Sequence, residues 1–112
     1  MTIREFIDKM RAKGLVDEIE RPVYDRFEAA QMASTTDRVL LFHDIGGKKA
    51  VMNLTASRST LAAALGSTEA DLVKRLAGAS YSGTLKPMGK LEMRPADLSA
   101  FPVMTFFPKD GG

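Results

Sequence analysis

Residues 39–54 read VLLFHDIGGKKAVMNL, and this stretch decides the fold. It opens with four consecutive apolar residues, 39–42, a run that is typical of a strand buried on both faces. Ile45-Gly46-Gly47-Lys48 predicts a turn, and residues 50–54 predict a second strand. Two short strands joined by a Gly-Gly connection indicate a β-hairpin, which we expect at the centre of a sheet.

The segment before the hairpin begins with an amphipathic helix, predicted over 3–13. Thr2 and Glu5 have the spacing of a capping box, in which each side chain accepts a free backbone N–H at the start of the helix. Gly14 is the natural stop. The imperfect apolar alternation over 15–20 then predicts a short strand.

A second helix is predicted over 26–34. Asp25 and Glu28 repeat the capping-box spacing at its start. Its inward-facing side chains are then expected to be Phe27, Ala30 and either Met32 or Ala33.

Two further helices follow the hairpin, over 57–66 and 68–78. Ser57 and Thr68 are placed to cap them, and a glycine ends each. Beyond them the helical period is lost, and residues 84–91 predict a loop and an edge strand. The side chains expected to be buried in these two helices are Leu61, Ala64, Leu65, Leu72, Val73 and Leu76.

Together these elements predict an α+β fold, in which a small mixed sheet with a central hairpin packs against about four helices. The chain has 112 residues, which is enough for one domain of ordinary size. It contains no cysteine, so disulfides, thiolate nucleophiles and cysteine-ligated metal sites are excluded. The lack of disulfides and of an N-terminal secretory signal favours a cytoplasmic location.

The charge pattern argues against two classes of partner. The net charge is +2, with acids and bases interspersed, and the densest basic cluster is Lys48-Lys49 in the predicted turn. Nucleic-acid binding normally requires a clustered basic face, so we expect no nucleic-acid partner. No apolar run approaches the ~20 residues that cross a bilayer, so we expect no membrane span.

Few residues offer catalytic chemistry. His43 is the only histidine, and at the end of a strand we expect it to be structural or solvent-facing rather than catalytic. Strand geometry places Asp17 on the face opposite Glu18 and Glu20, which indicates a charged sheet edge rather than a paired-carboxylate site. The residues alone therefore indicate no catalytic, cofactor-binding or metal-binding set.

The best polar cluster is 53–60, which reads NLTASRST and lies between a strand and a helix N-terminus. Free backbone N–H groups, the hydroxyl of Ser57 and the guanidinium of Arg58 form a weak candidate for an anion site. The alternative is an ordinary helix cap followed by a surface arginine.

Several segments carry a resemblance to a known family. In chain order they are IREFI at 3–7, GLV at 14–16, RPV at 21–23, VLLFHDIGG at 39–47, VMNLTASR at 51–58, LAAALG at 61–66, FPV at 101–103 and FPKDGG at 107–112. Their order and spacing resemble the N-terminal part of the UbiD family of decarboxylases. There are two departures: the loop before the hairpin is shorter than usual, and Arg38 stands where the family commonly has a proline.

The resemblance implies a function that this chain would share only as part of a larger protein. UbiD-type enzymes are carboxy-lyases that reversibly decarboxylate aromatic or α,β-unsaturated acids, and one branch acts in ubiquinone biosynthesis. They use prenylated FMN with a divalent metal (Mn or Mg) and K⁺, and the flavin serves as an electron sink. The family's catalytic and cofactor-binding residues lie in domains after the N-terminal one. None of them can be assigned to a position here, and the chain alone is expected to be inactive.

The resemblance also suggests a domain division. Residues 1–97 correspond to the family's N-terminal α+β domain, and residues 98–112 to a linker leading to an absent split-barrel flavin-binding domain. We therefore expect a fragment whose partners are the missing barrel and C-terminal domains. An exposed apolar patch is expected in the linker segment, which leaves a homo-oligomer open; it consists of Phe101, Val103, Met104, Phe106 and Phe107. The alternative is a stand-alone binding or assembly module, acting as a small subunit beside a catalytic chain.

Overall fold

A computed structural model describes residues 2–80, 83, 89, 90 and 92–110. The elements, in chain order, are α1 (Ile3–Ala12), β1 (Val16–Ile19), α2 (Glu28–Ser34), β2 (Val39–Ile45), β3 (Lys48–Met52), α3 (Arg58–Ala64), α4 (Glu69–Ala77) and one 3₁₀ turn (Leu98–Ala100). The predicted α+β class with four α-helices is confirmed in this part of the chain. The loop and edge strand predicted over 84–91 lie almost wholly outside the described residues.

The described strands form one mixed sheet in the order β1-β2-β3. β2 and β3 are antiparallel and pair Phe42 with Ala50, which confirms the hairpin. Gly46 and Gly47 take φ values of +60° and +79°, the left-handed values that a two-residue type I′ turn requires at both positions. β1 runs parallel to β2, because α2 lies between them in sequence and returns the chain to the same end of the sheet.

The hairpin strands differ from the prediction at their ends. β2 continues to Ile45, so His43 lies within the strand rather than after it. β3 begins at Lys48 and ends at Met52, two residues earlier at each end than predicted. The tight turn uses only the two glycines as its central residues, so the strands pair up to its edges.

β2 is buried on both faces, as its apolar run predicts. On one face Phe42 packs in a cluster with Ala29 of α2. On the other face Val39 packs with Phe6 and Met10 of α1, and α3 adds partly buried alanines to the same cluster. The period of two along a strand thus divides the core into two layers, with α2 on one side of the sheet and α1 and α3 on the other.

Two predicted helix starts are confirmed by their hydrogen bonds. At α1, the Glu5 N–H donates to Thr2 Oγ1 at 3.3 Å, and the Thr2 N–H donates to Glu5 Oε2 at 2.7 Å. At α4, the Asp71 N–H donates to Thr68 Oγ1 at 3.2 Å. Caps of this kind typically contribute about 1 kcal/mol each.

The capping box predicted before α2 is wrong. The helix begins at Glu28, and the residue before it, Phe27, has a φ of +66° and makes no side-chain cap. The Glu28 carboxylate instead accepts the Tyr24 N–H at 3.0 Å and Arg21 Nη1 at 2.6 Å. The backbone hydrogen bond from Tyr24 and then the bond from Arg21 lower the pKa of Glu28. Glu28 therefore closes the loop before α2 rather than capping the helix.

We expect Glu28→Gln to destabilise the chain near neutral pH and to have little effect in acid. A carboxyl whose pKa falls on folding stabilises the folded state above its unfolded pKa, about 4.3. That contribution is lost as the pH falls through the lower, folded pKa. Urea unfolding of both proteins from about pH 7 to about pH 3.5 should show a gap in midpoint that closes as the pH drops.

The control for this experiment is Glu92→Gln, which removes an exposed carboxylate paired with Arg94. It should leave the urea midpoint unchanged throughout the pH range, because exposed ion pairs contribute little. A gap between wild type and Glu28→Gln that stays constant with pH would contradict the assigned role of the ionised carboxylate.

The predicted inner face of α2 is shifted by one position. The fully buried side chain is Ala29, which was not predicted, whereas Phe27 is exposed. Met32 and Ala33, the two alternatives, are both partly buried against the core. The shift follows from the later start of the helix at Glu28.

The predicted inner faces of α3 and α4 are only partly correct. Leu72 is buried, but Val73 and Leu76 of the same helix are 60% and 51% exposed. In the preceding helix the buried side chains are Thr60 and Ala62. Of the predicted residues there, Leu61 and Ala64 are partly buried and Leu65 is exposed. α4 thus carries apolar side chains that no described residue covers.

Arg38, which the sequence comparison expected to stand in place of a proline, links β1 to the start of β2. Its Nε lies 2.8 and 2.9 Å from the two carboxylate oxygens of Asp17, and its Nη2 donates to the Gly14 carbonyl at 2.6 Å. A proline would supply none of these contacts.

Part of the segment predicted as a linker, 98–112, returns to the domain. The Thr105 N–H donates to the Asp25 carbonyl at 3.0 Å, and the Phe27 N–H donates to the Thr105 carbonyl at 2.9 Å. Met104 is partly buried against the cluster that contains Phe42. These contacts hold the middle of the segment against the loop that precedes α2.

Candidate functional site

Two carboxylates and the only histidine meet on the α1 side of the sheet. His43 Nε2 lies 2.8 Å from Glu18 Oε2 and 3.4 Å from Glu20 Oε1. Glu18 belongs to β1, Glu20 follows it directly, and His43 lies in the neighbouring strand β2. Parallel pairing places the end of β1 beside this part of β2. Nitrogen and oxygen ligands that converge in this way can share a proton or bind a cation.

Arg11, at the end of α1, holds the other side of the Glu18 carboxylate. Its Nε donates to Glu18 Oε1 at 2.7 Å, and its Nη1 donates to Asp8 Oδ1 at 2.6 Å. The hydrogen bond from Arg11 and then that from His43 lower the pKa of Glu18. Glu18 therefore has one oxygen fixed by Arg11 and the second directed at His43.

Sequence reasoning missed this cluster. The predicted alternation is correct: Glu18 and Glu20 lie together, while Asp17 pairs with Arg38 instead. The predicted sheet edge is also correct among the described strands, of which β1 is an outer one. The neighbour, His43, could not be identified, since the strand that borders β1 depends on a parallel pairing with no local signal. Two acidic residues two apart on a strand were the one available clue.

The predicted anion-site residues Ser57 and Arg58 lie at the start of α3. Ser57 forms a capping box with Thr60: the Thr60 N–H donates to Ser57 Oγ at 3.1 Å, and the Ser57 N–H donates to Thr60 Oγ1 at 3.2 Å. The Ser57 hydroxyl also contacts the Ser59 hydroxyl at 2.9 Å. Ser57 thus has a structural role, Arg58 is exposed, and an anion site here stays a prediction.

Asn53, at the start of the same polar cluster, has a structural role as well. Its Nδ2 donates to the carbonyls of Ala33 and Thr36, both at 2.8 Å. Its backbone has a φ of +60°, a left-handed value that asparagine tolerates better than most residues. Asn53 therefore connects the end of β3 to the C-terminal end of α2.

An apolar surface lies where α2 meets the returning chain segment. A groove of about 340 Å³ is lined by Phe27, Ala30, Gln31, Ser34, Phe106 and Phe107. The side chains of Phe101, Val103, Phe106 and Phe107 are all exposed, Val103 the most at 72%. The predicted exposure is therefore confirmed for these four residues, whereas Met104 packs against the core. We call these four exposed residues and Phe27 the aromatic surface.

Two cavities among the described residues differ in the groups that line them. One, of about 670 Å³, contains Lys74 and Arg75, and no apolar or aromatic side chain that could contact a flavin ring lines it. A second, of about 310 Å³, contains Tyr24 but also Asp25 and Asp44, which would repel a phosphate. Neither cavity combines an apolar wall with a phosphate-binding group, as a flavin nucleotide requires.

Comparisons with known proteins agree on one family. Residues 7–80, well over half of the chain, match the sequence model of the 3-octaprenyl-4-hydroxybenzoate carboxy-lyase N-terminal domain. The chain is also 35% identical, over 116 aligned positions, to the anhydromevalonate phosphate decarboxylase of Methanosarcina mazei. That alignment covers 99% of this chain and 28% of the relative.

Solved structures with the same fold are also known. One is an evolved dimeric form of the UbiD-class enzyme HmfF from Pelotomaculum thermopropionicum in complex with prFMN, with a TM-score of 0.60 and 26% identity. Another is the same enzyme in complex with FMN, with a TM-score of 0.59 and 24% identity, and it supports the fold alone. Each match covers 66% of this chain and 18% of the solved chain. Within the described residues, no helix is both long and apolar enough to cross a membrane.

Proposed function

This chain belongs to the family of 3-octaprenyl-4-hydroxybenzoate carboxy-lyase N-terminal domains, and from that premise we propose that it is the non-catalytic structural domain of a UbiD-class decarboxylase. The parent enzyme would reversibly decarboxylate an aromatic or α,β-unsaturated acid with prenylated FMN. Residues 1–97 would form the domain, and residues 98–112 the connection to a flavin-binding barrel. The flavin, and the divalent metal and K⁺ used with it, would be bound by residues outside this chain.

The proposal rests on the length of this chain compared with the lengths of the proteins it matches. The chain spans about a quarter of its curated relative and less than a fifth of the solved UbiD-class chains. In those proteins most of the sequence therefore lies outside the region that this chain matches. A domain with a separate catalytic partner needs a surface to pack against it, and the aromatic surface and the exposed Val73 and Leu76 supply apolar area for that purpose. No observation favours the stand-alone small subunit over this assignment.

The chemistry of the described residues supports a non-catalytic role. Neither the cavity of about 670 Å³ nor that of about 310 Å³ combines an apolar wall with a phosphate-binding group. The clustered His43 and Glu18 line neither of these two cavities. These observations support a domain that contributes packing surfaces to the enzyme.

We expect the purified 112-residue chain neither to bind flavin nor to release CO₂. Fluorescence titration with FMN and with prenylated FMN should show no saturable binding. Incubation of the chain with prenylated FMN and a panel of aromatic and α,β-unsaturated acids should give no turnover. The full-length decarboxylase of Methanosarcina mazei, assayed with its own substrate, serves as the positive control. Turnover by the chain alone would overturn the proposal.

The aromatic surface can be tested separately, by the binding of a fluorescent dye. The double variant Phe106→Ser, Phe107→Ser should bind less of a dye that reports exposed apolar surface than the wild type does. Met93→Ser removes an apolar side chain that is even more exposed, at 87%, and lies outside the groove, so it is the control. Equal dye binding by both variants would show that the aromatic surface is not a continuous patch.

A further inference from the structure

We propose that Glu18, Glu20 and His43 form a binding site for a divalent transition-metal ion of the Zn²⁺ type. One ligand atom from each of the three side chains lies within 4.8 Å of the others. The inference rests only on residues of this chain, so it stands or falls independently of the proposed function.

The spacing of the ligand atoms fits a metal ion. Zn²⁺ binds imidazole nitrogen and carboxylate oxygen at about 2.0–2.2 Å, so two of its ligand atoms lie roughly 2.9 Å apart at a right angle and about 3.4 Å apart at a tetrahedral angle. His43 Nε2 lies 2.8 Å from the Glu18 oxygen and 3.4 Å from the Glu20 oxygen. An ion can therefore be accommodated by small side-chain rotations, without movement of the strands.

The ligands are held by the backbone and by neighbouring side chains. β1 and β2 pair in register up to Ile19 and Phe42, directly before Glu20 and His43. The His43 side chain is three-quarters buried, which limits the positions its ring can take. Arg11 fixes Glu18 through Oε1 and leaves Oε2 directed at His43. Such a second contact orients a ligating carboxylate.

Charge and ligand chemistry both favour this class of ion. Two carboxylates approach the same imidazole nitrogen, and the positive charge of Arg11 is shared between Glu18 and Asp8. The group therefore retains a net attraction for a dication. A mixed set of one imidazole nitrogen and two carboxylate oxygens suits Zn²⁺ or Co²⁺, whereas Mg²⁺ prefers oxygen ligands alone. Water would complete the coordination on the open side of Glu20.

The composition of the chain makes the test clean. His43 is the only histidine and there is no cysteine, so the chain offers Zn²⁺ few competing sites. The 112-residue chain, purified without an affinity tag, is titrated with Zn²⁺ in a calorimeter and with Co²⁺ in an absorption spectrometer. We expect one bound ion per chain, visible Co²⁺ absorption bands, and a higher melting temperature with Zn²⁺ than with Mg²⁺.

The variants decide the assignment. We expect Glu20→Gln and His43→Gln each to weaken Zn²⁺ binding at least about tenfold, while Glu92→Gln, remote from the cluster, leaves the affinity unchanged. Glu20 is 76% exposed, so Glu20→Gln should leave the fold intact. It therefore tests the site even if His43→Gln disrupts the fold. Unchanged Zn²⁺ affinity in Glu20→Gln, or no binding by the wild type at millimolar Zn²⁺, would overturn the proposal.

Discussion

We expect Phe42→Ala to lower the free energy of unfolding by about 3–5 kcal/mol. Phe42 is fully buried in the middle of β2, and it packs against α2 in the cluster that includes Ala29 and Val23. Truncation to alanine removes buried apolar area and leaves a cavity. The backbone of β2 cannot shift to fill it, because β2 is hydrogen-bonded to β1 on one side and to β3 on the other. A domain of this size is stable by about 5–15 kcal/mol, so the loss is a large fraction of the total.

Urea unfolding followed by circular dichroism measures this effect. Phe101→Ala is the matched control: it removes the same side chain from a position that is 61% exposed and should change stability by less than about 0.5 kcal/mol. A loss below about 1 kcal/mol for Phe42→Ala would show that the layer between the sheet and α2 is not the main core.

The second large effect is expected at Asn53, where Asn53→Ala should lower the free energy of unfolding by about 3–4 kcal/mol. Alanine at a φ of +60° is strained by roughly 1–2 kcal/mol, because its Cβ crowds the backbone. It also removes both hydrogen bonds to the end of α2, each with a net contribution of about 1 kcal/mol. Thermal or urea unfolding gives the total.

Asn53→Gly separates the two causes. Glycine adopts the left-handed conformation freely but cannot donate to the carbonyls of Ala33 and Thr36. We therefore expect Asn53→Gly to be less stable than the wild type and more stable than Asn53→Ala. Equal stability of the glycine variant and the wild type would mean that the two hydrogen bonds contribute nothing.

Local signals in the sequence predicted much of the fold. Thr2, Ser57 and Thr68 cap helices as expected, because a cap depends only on residues within one turn. Gly46 and Gly47 mark the hairpin for the same reason, since the φ values of the turn exclude most other residues. The resemblance to the UbiD family, read from short ordered motifs, is confirmed by the match over residues 7–80.

Features that depend on distant contacts were not predictable in the same way. Asp25 and Glu28 have the spacing of a capping box, yet Arg21 and Tyr24 compete for the Glu28 carboxylate and the helix starts later. Val73 and Leu76 lie at positions that periodicity assigns to a core, but a helical stripe shows only that a partner exists, not where it lies. In this chain those side chains are exposed.

The same limit applies to the candidate site. Glu18 and Glu20 are correctly placed on one face by strand geometry alone. His43 joins them only through the pairing of β1 with β2, whose partners are more than twenty positions apart in sequence. The ion pair of Arg11 with Glu18 requires in addition that α1 pack on that face of the sheet.

The parallel pairing of β1 with β2 has a consequence for the order of assembly. In the hairpin the paired residues Ile45 and Lys48 are only three positions apart in sequence. Val16 and Val39, paired between β1 and β2, are separated by the whole of α2. Loop closure over the longer distance costs more entropy, so the hairpin should form early and β1 should dock late, after α2. This late contact joins Glu18 and Glu20, at the end of β1, to His43 in β2. An ion bound by all three would slow the release of β1 from the sheet.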